Sequence, residues 1–371
     1  MKVHAKKSRP TLKDIAREAK ISPSTVSLVL RDPETTRVSS ATRKRIVAIA
    51  ERLNYRPNLQ ARSLVGQKSS TLGLVITTML NPFYAEITQA IIDRAREDGY
   101  GVIASSVGDG GPKIEQHYAH DLLDRGVDGL IICSALRNDP VIHDLQKRGV
   151  PFVLALRGVD EGPCDQPLDF VGVDDRRGAA MITEHLLAMG HTRIALITGP
   201  QETSTGHHRF SGVQAAFEAR GLAIDPALIF KGNYTRVSGY ELAREIIRTQ
   251  PRPTAIFSAN DIMAMGVLQA LAENSLKAPD DIALAGFDDI EMAGLPGVDL
   301  TTISHQKIIL GRLAVEQLLD KIKGESEHVV KKFIIDPVLV IRKTCGYSAR
   351  QDHDPKQAYN PDTLTEKSFE S

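Results

Sequence analysis

Hydrophobic and polar positions follow a helical period in the first part of the chain. Between residues 12 and 54, apolar side chains recur every three to four positions, which predicts three short helices. Each predicted helix begins after a residue that favours helix N-termini, namely Thr11, Ser22 and either Ser39 or Ser40. Two short helices joined by a tight turn, with a third that closes a small core, describe a helix-turn-helix unit.

Beyond residue 70 the pattern changes to short apolar runs separated by helical stretches. The apolar runs, which predict strands, are Leu72–Ile76, Val102–Ala104, Leu130–Ile132, Phe152–Leu154, Ile194–Ile197, Ala255–Phe257 and Ile282–Ala285. The helical stretches between them lie at 85–98, 114–125, 177–189, 207–220, 238–249 and 261–273. Repeated strand–helix units predict doubly wound parallel sheets with helices on both faces. About ten strands would be many for one sheet, so an α/β body with two lobes is predicted.

Charge is segregated along the chain. The 371 residues have a formal net charge of zero, but residues 1–68 contain 16 Lys and Arg against 5 Asp and Glu. The remaining 303 residues contain 30 basic and 41 acidic side chains. A basic head on an acidic body predicts a module that binds a polyanion, attached to a second functional unit.

Several protein classes are excluded as expectations. Residues 1–10 are basic without an apolar run behind them, so no signal peptide is expected, and no stretch approaches the roughly 18 apolar residues of a membrane helix. Three widely spaced cysteines, Cys133, Cys164 and Cys345, favour a reducing compartment over a disulfide framework. We therefore expect a cytoplasmic protein with no cofactor, no metal site and no membrane contact.

The residues of the basic head resemble a known family. The motifs TLKDIA, S-x-S-T-V-S, V-S-x-x-T-R-x-R-I and L-N-Y-x-P-N, between Thr11 and Asn58, are similar to the N-terminus of the lactose-repressor (LacI/GalR) family of bacterial transcription regulators. The resemblance implies that the second helix enters the major groove of DNA. It implies phosphate contacts from the residues Thr11, Ser22, Thr25, Ser27, Thr42, Tyr55 and Asn58. It assigns base contacts to Pro23, Ser24 and Leu28.

Two features of this DNA-binding segment bear on its operator. Leu28 stands where many family members have an Arg that reads guanine, so the operator sequence cannot be transferred from relatives. By resemblance, residues 57–66 are a hinge helix that becomes ordered when two copies meet on DNA. Its residues Ala61 and Leu64 share one face, and Leu64 is expected to insert into the minor groove at the operator centre.

The resemblance continues to about residue 343. The segments NPFYAEI, VDGLII, VGVDD, HLLAMGHTRIALITGP, SANDIMAMGVLQAL and IALAGFDDI are similar to the family's effector domain, which resembles periplasmic sugar-binding proteins. Such sheets bind ligands beyond the carboxyl ends of their strands. The resemblance places the following residues in the effector pocket: Phe83, Tyr84, Thr203, Thr205, Arg209, Tyr234, Asn260, Asp288 and His305.

One loop of the predicted pocket departs from relatives. Several sugar-binding members have an Asp where this chain has Leu156, and Arg157 follows it. We therefore include Arg157 in the pocket and hypothesise an effector with an anionic group, such as a sugar acid or sugar phosphate. The pairs Asp174–Asp175 and Asp280–Asp281 are interpreted as caps and turn residues, and Asp261 as a charge at a helix N-terminus. Arg209 could be a surface residue of its helix, but the resemblance favours its place in the pocket.

An enzyme is the competing class, because doubly wound sheets host many enzymes. The sequence has no dinucleotide fingerprint, no phosphate-loop motif with Lys, no G-x-S-x-G elbow and no H-E-x-x-H. Asp288 and Asp289 are adjacent on a strand end, so their carboxylates should point in different directions. No catalytic residues are therefore predicted, although an enzyme fused to a DNA anchor stays open as the less favoured alternative.

The predicted protein is a dimeric regulator with four segments. They are the helix-turn-helix domain at 1–56, the hinge helix and linker at 57–68, the effector-binding and dimerisation domain at 69–345, and a disordered tail at 346–371. The tail has only Leu364 in place of a leucine heptad, which favours a homodimer over a tetramer. A two-fold dimer would bind a pseudo-palindromic operator. Repression is the favoured outcome, and a corepressor-dependent regulator that responds to a non-sugar metabolite is the alternative.

Overall fold

Three capped helices form the N-terminal unit. They are α1 (Leu12–Ala19), α2 (Pro23–Arg31) and α3 (Ser40–Arg52). At their starts, the Asp14 carboxylate accepts the Thr11 N–H at 2.9 Å, Ser22 Oγ accepts the Thr25 N–H at 3.1 Å and Ser39 Oγ accepts the Thr42 N–H at 3.3 Å. One apolar face from each helix makes the core, which consists of Ile15, Ala16, Ala19, Val26, Val29, Ile46, Ile49 and Ala50. The predicted three-helix unit is confirmed, with α3 ending two residues before Asn54.

The computed structural model describes residues 10–31, 37–55, 68–108, 111–160, 167–324 and 330–346. The chain divides into two compact units, residues 1–69 and 70–371. The predicted hinge helix and tail lie outside the described residues.

The second unit alternates strands and helices as predicted. Its elements in chain order are β1 (Thr71–Ile76), α4 (Pro82–Glu97), β2 (Gly101–Ser106), α5 (Gly111–Asp124), β3 (Gly129–Ile132), α6 (Pro140–Lys147), β4 (Phe152–Ala155), β5 (Phe170–Val173), α7 (Asp175–Ala188), β6 (Ile194–Thr198), α8 (Ser204–Ala219), β7 (Ile229–Lys231), α9 (Arg236–Arg248), β8 (Ala255–Ser258), α10 (Asp261–Glu273), β9 (Ala283–Ala285), β10 (Thr302–Ser304), α11 (Lys307–Lys323), β11 (Lys332–Ile335) and β12 (Val338–Val340). Short 3₁₀ turns at Pro226–Leu228, Glu291–Gly294 and Lys343–Cys345 complete it.

Two parallel sheets define two lobes. The sheet of the first lobe has the order β11-β5-β4-β3-β1-β2, and the sheet of the second lobe has the order β7-β6-β8-β9. Every strand pair within these two sheets is parallel. Strands β10 and β12 form an antiparallel pair, and bridges from Ala285 to Thr301 and from Asp288 to Ser304 join β10 to the strand-end segment after β9. The predicted two-lobed α/β class is confirmed.

The chain passes between the lobes three times. It leaves the first lobe after β5 at Asp174, returns through His305–Gln306 into α11, and leaves again after β11 at Asp336. The second and third passages are joined, because Gln306 Nε2 donates to the Asp336 carbonyl at 2.9 Å. Helix α11 packs on α4, so the first lobe is built from two separate stretches of chain.

Candidate functional site

The carboxyl ends of the parallel strands in both lobes face one cleft. The first lobe contributes the start of α4, after β1, and the loop after β4. The second lobe contributes the start of α8 after β6, the loop after β7, the start of α10 after β8, and the segment after β9. All ten residues predicted for the effector pocket lie on these segments or at the passage after β10, as expected for open parallel sheets.

Arg209 is the centre of a buried polar cluster. Its Nε donates to Asp175 Oδ1 at 2.7 Å, and its Nη1 donates to Asp288 Oδ1 at 3.2 Å and to the Ala259 carbonyl at 2.6 Å. Its Nη2 lies 3.2 Å from His305 Nε2, and its Cζ lies 3.9 Å from the centre of the Phe287 ring. The Arg209 and Asp175 side chains are each only 5% exposed, so Arg209 is not a surface helix residue. Two carboxylates therefore neutralise this guanidinium inside the protein.

Burial changes the protonation of this cluster. Burial lowers the pKa of His305 to about 3, with Arg209 acting in the same direction, so the imidazole is neutral at pH 7. Burial raises the pKa of Asp288 to about 6, although Arg209 and Lys307 oppose the rise. Burial disfavours the charge of Arg209, but Asp175 and Asp288 more than offset it and hold its pKa above the ordinary value. Asp288 therefore stays ionised at neutral pH because the cations face it.

Tyr234 anchors the second-lobe side of the cleft. Its hydroxyl is 3.2 Å from Thr205 Oγ1, and its carbonyl accepts from Asn260 Nδ2 at 3.4 Å. Gly199 is required beneath the ring, because a Cβ at this position would overlap the Tyr234 hydroxyl. Burial raises the pKa of Tyr234, so its hydroxyl remains a neutral donor.

Thr203 and Asn260 also cap the helices that line the cleft. Thr203 Oγ1 accepts the Gly206 N–H at 3.1 Å at the start of α8, and Asn260 Oδ1 accepts the Met263 N–H at 2.9 Å at the start of α10. The same two helix starts contact Tyr234. The start of α8 does so through the Thr205 hydroxyl, and the start of α10 through Asn260 Nδ2.

An aromatic group lines the first-lobe side. The rings of Phe83 and Tyr84 are 5.5 Å apart, and Phe83 packs edge-on against His305 at 4.7 Å. The Asn81 side chain caps α4 by accepting the Phe83 N–H at 3.0 Å, which fixes both aromatic residues in the first helical turn. The cluster of His305 therefore connects the aromatic residues of one lobe to Arg209 of the other.

Arg157 reaches the cleft from the first lobe. It is 7% exposed, and its Cζ lies 5.8 Å from the centre of the Tyr234 ring. Behind it, buried Glu115 accepts from Ser134 Oγ at 2.6 Å and is hydrogen-bonded to Asp139. Burial and the charge of Asp139 raise the pKa of Glu115 to about 8.

The backbone is strained around the cleft. The structure describes ten non-glycine residues with positive φ, and half of them lie here. These five are Leu156, Tyr234, Asp288, Asp289 and Gln306. Residues with such conformations concentrate at functional sites, and the turn at Leu156 is what directs Arg157 away from the strand.

The two lobes touch at the rim of the cleft opposite the three passages. The Arg137 N–H donates to the Glu202 carbonyl at 2.9 Å, and the Gly158 N–H donates to Ser204 Oγ at 3.0 Å. The Arg137 guanidinium pairs with Asp160 at 2.9 Å and reaches the Gln201 carbonyl at 3.4 Å. The lobes also meet where Arg157 faces the Tyr234 ring at 5.8 Å. The two lobes are therefore in contact across the cleft, which is a closed arrangement.

The structure corrects one expectation, extends another and adds a residue that sequence reasoning missed. Asp174 caps α7 as expected, accepting the Arg177 N–H at 2.9 Å, but Asp175 is the closest ionic partner of Arg209 rather than a cap. Asp261 is fully buried and accepts from Thr302 Oγ1 at 2.6 Å and from the Ile290 N–H at 3.0 Å, so it is more than a helix charge. Glu115 had no sequence signal, because it lies in an ordinary amphipathic stretch.

The carboxylates of Asp288 and Asp289 diverge, as the strand geometry predicts. Asp288 faces Arg209, whereas Asp289 pairs with Arg342 at 2.7 Å. Each of the two carboxylates therefore has its own cationic partner.

The hydroxyl residues predicted to contact DNA cluster at the start of α2. Ser22 Oγ lies 2.7 Å from Ser24 Oγ and 2.8 Å from Thr25 Oγ1. Pro23 and Ser24 are exposed, while Thr25, Ser27 and Leu28 are half-buried. Thr11 is exposed at the start of α1, and Thr42 in α3 and Tyr55 are half-buried. Asn58, Ala61 and Leu64 lie outside the described residues.

Within the described ranges, no helix is long and apolar enough to cross a membrane. Within the same ranges, no group of three or more His, Cys, Asp or Glu side chains is arranged to hold a metal ion.

The combination of a helix-turn-helix unit with a two-lobed body that closes over a polar cleft defines a class of DNA-binding, ligand-sensing regulators. Residues 11–58 match the family model of bacterial regulatory proteins of the lacI family. Residues 69–343 match the model of periplasmic binding proteins and the sugar-binding domain of the LacI family.

Individual relatives extend over nearly the whole chain. The HTH-type transcriptional repressor PurR of Photobacterium profundum is 33% identical over 335 residues, which cover 90% of this chain and 98% of that protein. The Lac repressor dimer bound to operator and the anti-inducer ONPF is 30% identical with a TM-score of 0.79, covering 91% of this chain and 99% of that one. The complex of the transcriptional regulator CelR with cellobiose is 29% identical with a TM-score of 0.68, covering 91% of this chain and all of that one.

The chain therefore belongs to the LacI family, and it is a transcriptional repressor of that family with a DNA-binding head and a ligand-binding body.

Proposed function

We propose that this chain represses transcription in the bacterial cytoplasm as a homodimer on a pseudo-palindromic operator, under the control of a sugar or sugar derivative bound between the lobes. The observation that carries this proposal is the buried polar cluster of Arg209, Asp175, Asp288 and His305, which lies where the chain passes between the lobes. A small hydroxylated molecule bound there would contact both lobes at once.

The side chains of the cleft suit a polyhydroxylated ligand. The Asp288 carboxylate accepts from hydroxyl groups, the Asn260 amide and Thr205 hydroxyl both donate and accept, and Tyr234 with Phe83 offers apolar faces to a sugar ring. The complex of CelR with cellobiose supports a sugar as the type of ligand. Phe83, Tyr84, Arg157, Thr203, Thr205, Arg209, Tyr234, Asn260, Asp288 and His305 are the proposed effector-binding residues.

Effector binding would act on DNA through the angle between the lobes. A ligand that binds one lobe angle better than another shifts the population toward that angle. In the dimer, this shift would change the spacing of the two hinge helices and hence operator affinity. In induction the effector lowers operator affinity, and in corepression it raises operator affinity. A non-sugar corepressor is the second candidate for the effector.

In operator recognition, some residues would position the protein on the DNA backbone and others would contact the bases. The hydroxyl group at the start of α2 suits phosphate contacts, which fix the register of the helix on DNA. Leu28 would contribute apolar contact with a base, such as a thymine methyl. The Lac repressor dimer on operator supports this arrangement of two heads on one pseudo-palindrome.

Selection of fragmented DNA from the source organism tests the repressor proposal. The full chain is expected to retain sites with a pseudo-palindromic consensus, and a chain that lacks residues 1–68 is expected to retain none. Peaks that appear only after addition of a metabolite extract would indicate corepression. Absence of selected sites under both conditions would contradict sequence-specific repression.

The Leu64→Ala variant tests the predicted hinge wedge. If Leu64 inserts at the operator centre, its loss should weaken operator binding by tenfold or more, because the kinked complex loses its apolar wedge, while binding to random DNA changes little. Gel-shift titrations on both DNAs give the measurement. Equal losses on operator and random DNA would contradict the wedge.

A further inference from the structure

Arg157 differs from Arg209, the other buried Lys or Arg among the described residues of the body, in its lack of an ionic partner. Arg209 pairs with Asp175 and Asp288, and the half-buried Lys307 and Lys321 pair with Glu86 at 2.8 Å and with Asp169 at 2.9 Å. Among the residues that the structure describes, the guanidinium of Arg157 has no hydrogen bond and no ion pair, and its contact is the Tyr234 ring at 5.8 Å. A buried charge without a partner is costly, and a cation–π contact at this distance offsets only part of that cost.

Glu115, a first-lobe carboxyl group whose pKa is affected by the charge of Arg157, does not serve as its counter-ion. Glu115 is 2% exposed, receives the Ser134 hydroxyl and shares a hydrogen bond with Asp139. The two oxygens of Asp139 accept the N–H groups of Leu136 at 3.0 Å and Val141 at 2.9 Å, which fixes this side chain at the start of α6. Burial, together with the neighbouring Asp139, raises the pKa of Glu115 to about 8, so Glu115 keeps its proton at pH 7.

We propose that Arg157 is the receptor for an anionic group, a carboxylate or a phosphate ester, on the molecule that binds between the lobes, and that Glu115 is the neutral neighbour that leaves this guanidinium without a counter-ion. The inference rests on the proposed function in one respect, that the cleft is the effector site. The geometry supports it because Arg157 extends from one lobe to a ring of the other, so an anion bound there touches both. It also excludes Arg209 as the anion receptor in this closed arrangement, since that guanidinium already has two carboxylates.

Glu115 makes the receptor sensitive to pH. The charged and titratable groups that face it are Asp139 before α6, Arg157 after β4 and the buried thiol of Cys133 after β3. Burial raises the pKa of Cys133 to about 12, so this thiol stays neutral over the working range. When Glu115 loses its proton above about pH 8, its carboxylate competes with the ligand for Arg157, and affinity for an anion should fall.

The test uses the full-length protein without DNA and two minimal anions. Sulfate represents a tetrahedral phosphate ester and acetate a carboxylate, and neither changes charge between pH 7 and pH 9. Thermal unfolding is followed against anion concentration, with chloride at matched ionic strength as the reference. The variants are Arg157→Gln, Glu115→Gln, and Arg96→Gln as the charge-matched control, since Arg96 is 70% exposed and pairs on the surface of α4.

Wild type and Arg96→Gln are expected to show a saturable rise in Tm at pH 7 with at least one anion, and Arg157→Gln to require about tenfold more anion or to show no saturation. The anion that saturates distinguishes a phosphate ester from a carboxylate. At pH 9 the apparent affinity of wild type should fall severalfold, while Glu115→Gln, which keeps both hydrogen bonds, should not change.

Three results would overturn the inference. The absence of a saturable rise in wild type with either anion, or an unchanged rise in Arg157→Gln, would remove Arg157 as the receptor. If the apparent affinity for the anion also falls at pH 9 in Glu115→Gln, Glu115 is not the titrating group. Because DNA is absent, a negative result leaves selection of operator sites intact, so the failure of this inference is distinguishable from failure of the proposed repressor.

Discussion

At the scale of single residues, the cleft depends on ionic pairs that are closed to water. Arg209 and Asp175 lie on α8 and α7, and their side chains are almost fully buried at 2.7 Å. Removal of one partner from a buried pair leaves an uncompensated charge, which costs more than the pair itself contributes. The position of Arg209 in the cleft is therefore set by Asp175 as much as by any ligand.

The Asp175→Asn variant tests this dependence. It keeps the shape of the side chain but removes its charge, so the free energy of unfolding in urea is expected to fall by about 3 kcal/mol. The matched control is Asp93→Asn, whose exposed pair with Arg96 should contribute less than about 0.5 kcal/mol. Similar small losses in both variants would contradict a structural role for the Arg209–Asp175 pair.

Glu115 predicts a dependence of stability on pH. Its pKa rises from 4.5 to about 8 on folding, so the folded chain retains a proton that the unfolded chain has lost in this window. The free energy of unfolding should then fall as pH increases from about 4.5 to 8, by at most about 1.4 kcal/mol per unit for one proton.

The Glu115→Gln variant isolates the contribution of Glu115. The other carboxyl groups with a raised pKa, Asp261 and Asp288, are present in both the variant and the wild type. Urea unfolding at pH 5, 6.5 and 8 should show the variant gaining stability relative to wild type as pH rises. A difference that stays constant across this range would contradict a buried, protonated Glu115.

The sequence predicts some of these residues and misses others, depending on how far apart the interacting partners lie in the chain. Arg209 and Asp288 were predicted because the resemblance carries them, and the structure brings them to one cluster. Asp175 precedes a helix and has the local pattern of a cap, so its pairing with Arg209, 34 positions away, had no local signal. Glu115 was missed for the same reason, since a carboxylate in an amphipathic helix usually faces water.

At the scale of elements, single hydroxyl groups cap two of the three helices of the DNA-binding head. Ser22 caps α2 and Ser39 caps α3. The two caps are alike in chemistry, but only Ser22 is predicted to contact a DNA phosphate. A comparison of Ser22 with Ser39 therefore separates the effect of a helix cap on stability from the effect of the hydroxyl group on DNA binding.

Ser22→Ala and Ser39→Ala are each expected to destabilise their helix by about 1 kcal/mol. Amide hydrogen exchange in α2 and α3 of the full-length protein would measure this. Ser22→Ala alone should also weaken DNA binding beyond the loss explained by helix stability. Equal DNA affinities for the two variants would contradict a phosphate contact from Ser22.

Elements with a strong period were predictable, and short or discontinuous ones were not. The apolar runs of β1, β3 and β6 are fully buried between helices, so they read as strands without alternation. Strands of three residues, such as β7 and β12, are too short to produce a period. The long helix α11 was not predicted either, although its buried residues Leu310, Ala314 and Leu318 recur at helical spacing. Its return to the first lobe had no local signal, because the packing of α11 on α4 joins segments that are far apart in the sequence.

At the scale of the whole molecule, closure of the cleft rests on few contacts. Within the described part of the chain, the hydrogen bonds between the lobes include the rim bonds from Arg137 and Gly158 and the bond from the Glu291 N–H to Glu86 Oε1 at 3.4 Å. Neutral hydrogen bonds contribute about 1 kcal/mol each, which is enough to change the ratio of open to closed lobes severalfold. The lobe equilibrium is therefore sensitive to small changes at this rim.

The double variant Arg137→Gln, Ser204→Ala should open the cleft. It removes the acceptor for the Gly158 N–H and the guanidinium contacts of Arg137, so the radius of gyration from small-angle scattering should increase in the absence of ligand. Arg193→Gln, which breaks an ion pair with Asp225 inside the second lobe, is the control and should leave the radius unchanged. An unchanged radius in both would contradict a role for the rim in closure.

The return of the chain to the first lobe has a consequence for synthesis on the ribosome. Strand β11, at one edge of the first sheet, pairs with β5 only after residue 335 has emerged, although the other strands of that sheet are complete by residue 173. Until then the edge of β5 and the face of α4 that packs on α11 are uncovered. The second lobe, by contrast, is almost continuous in sequence. The second lobe can therefore finish folding at nearly the same moment as the first lobe. A nascent chain halted before α11 would expose an open sheet edge to chaperones and to other copies of itself.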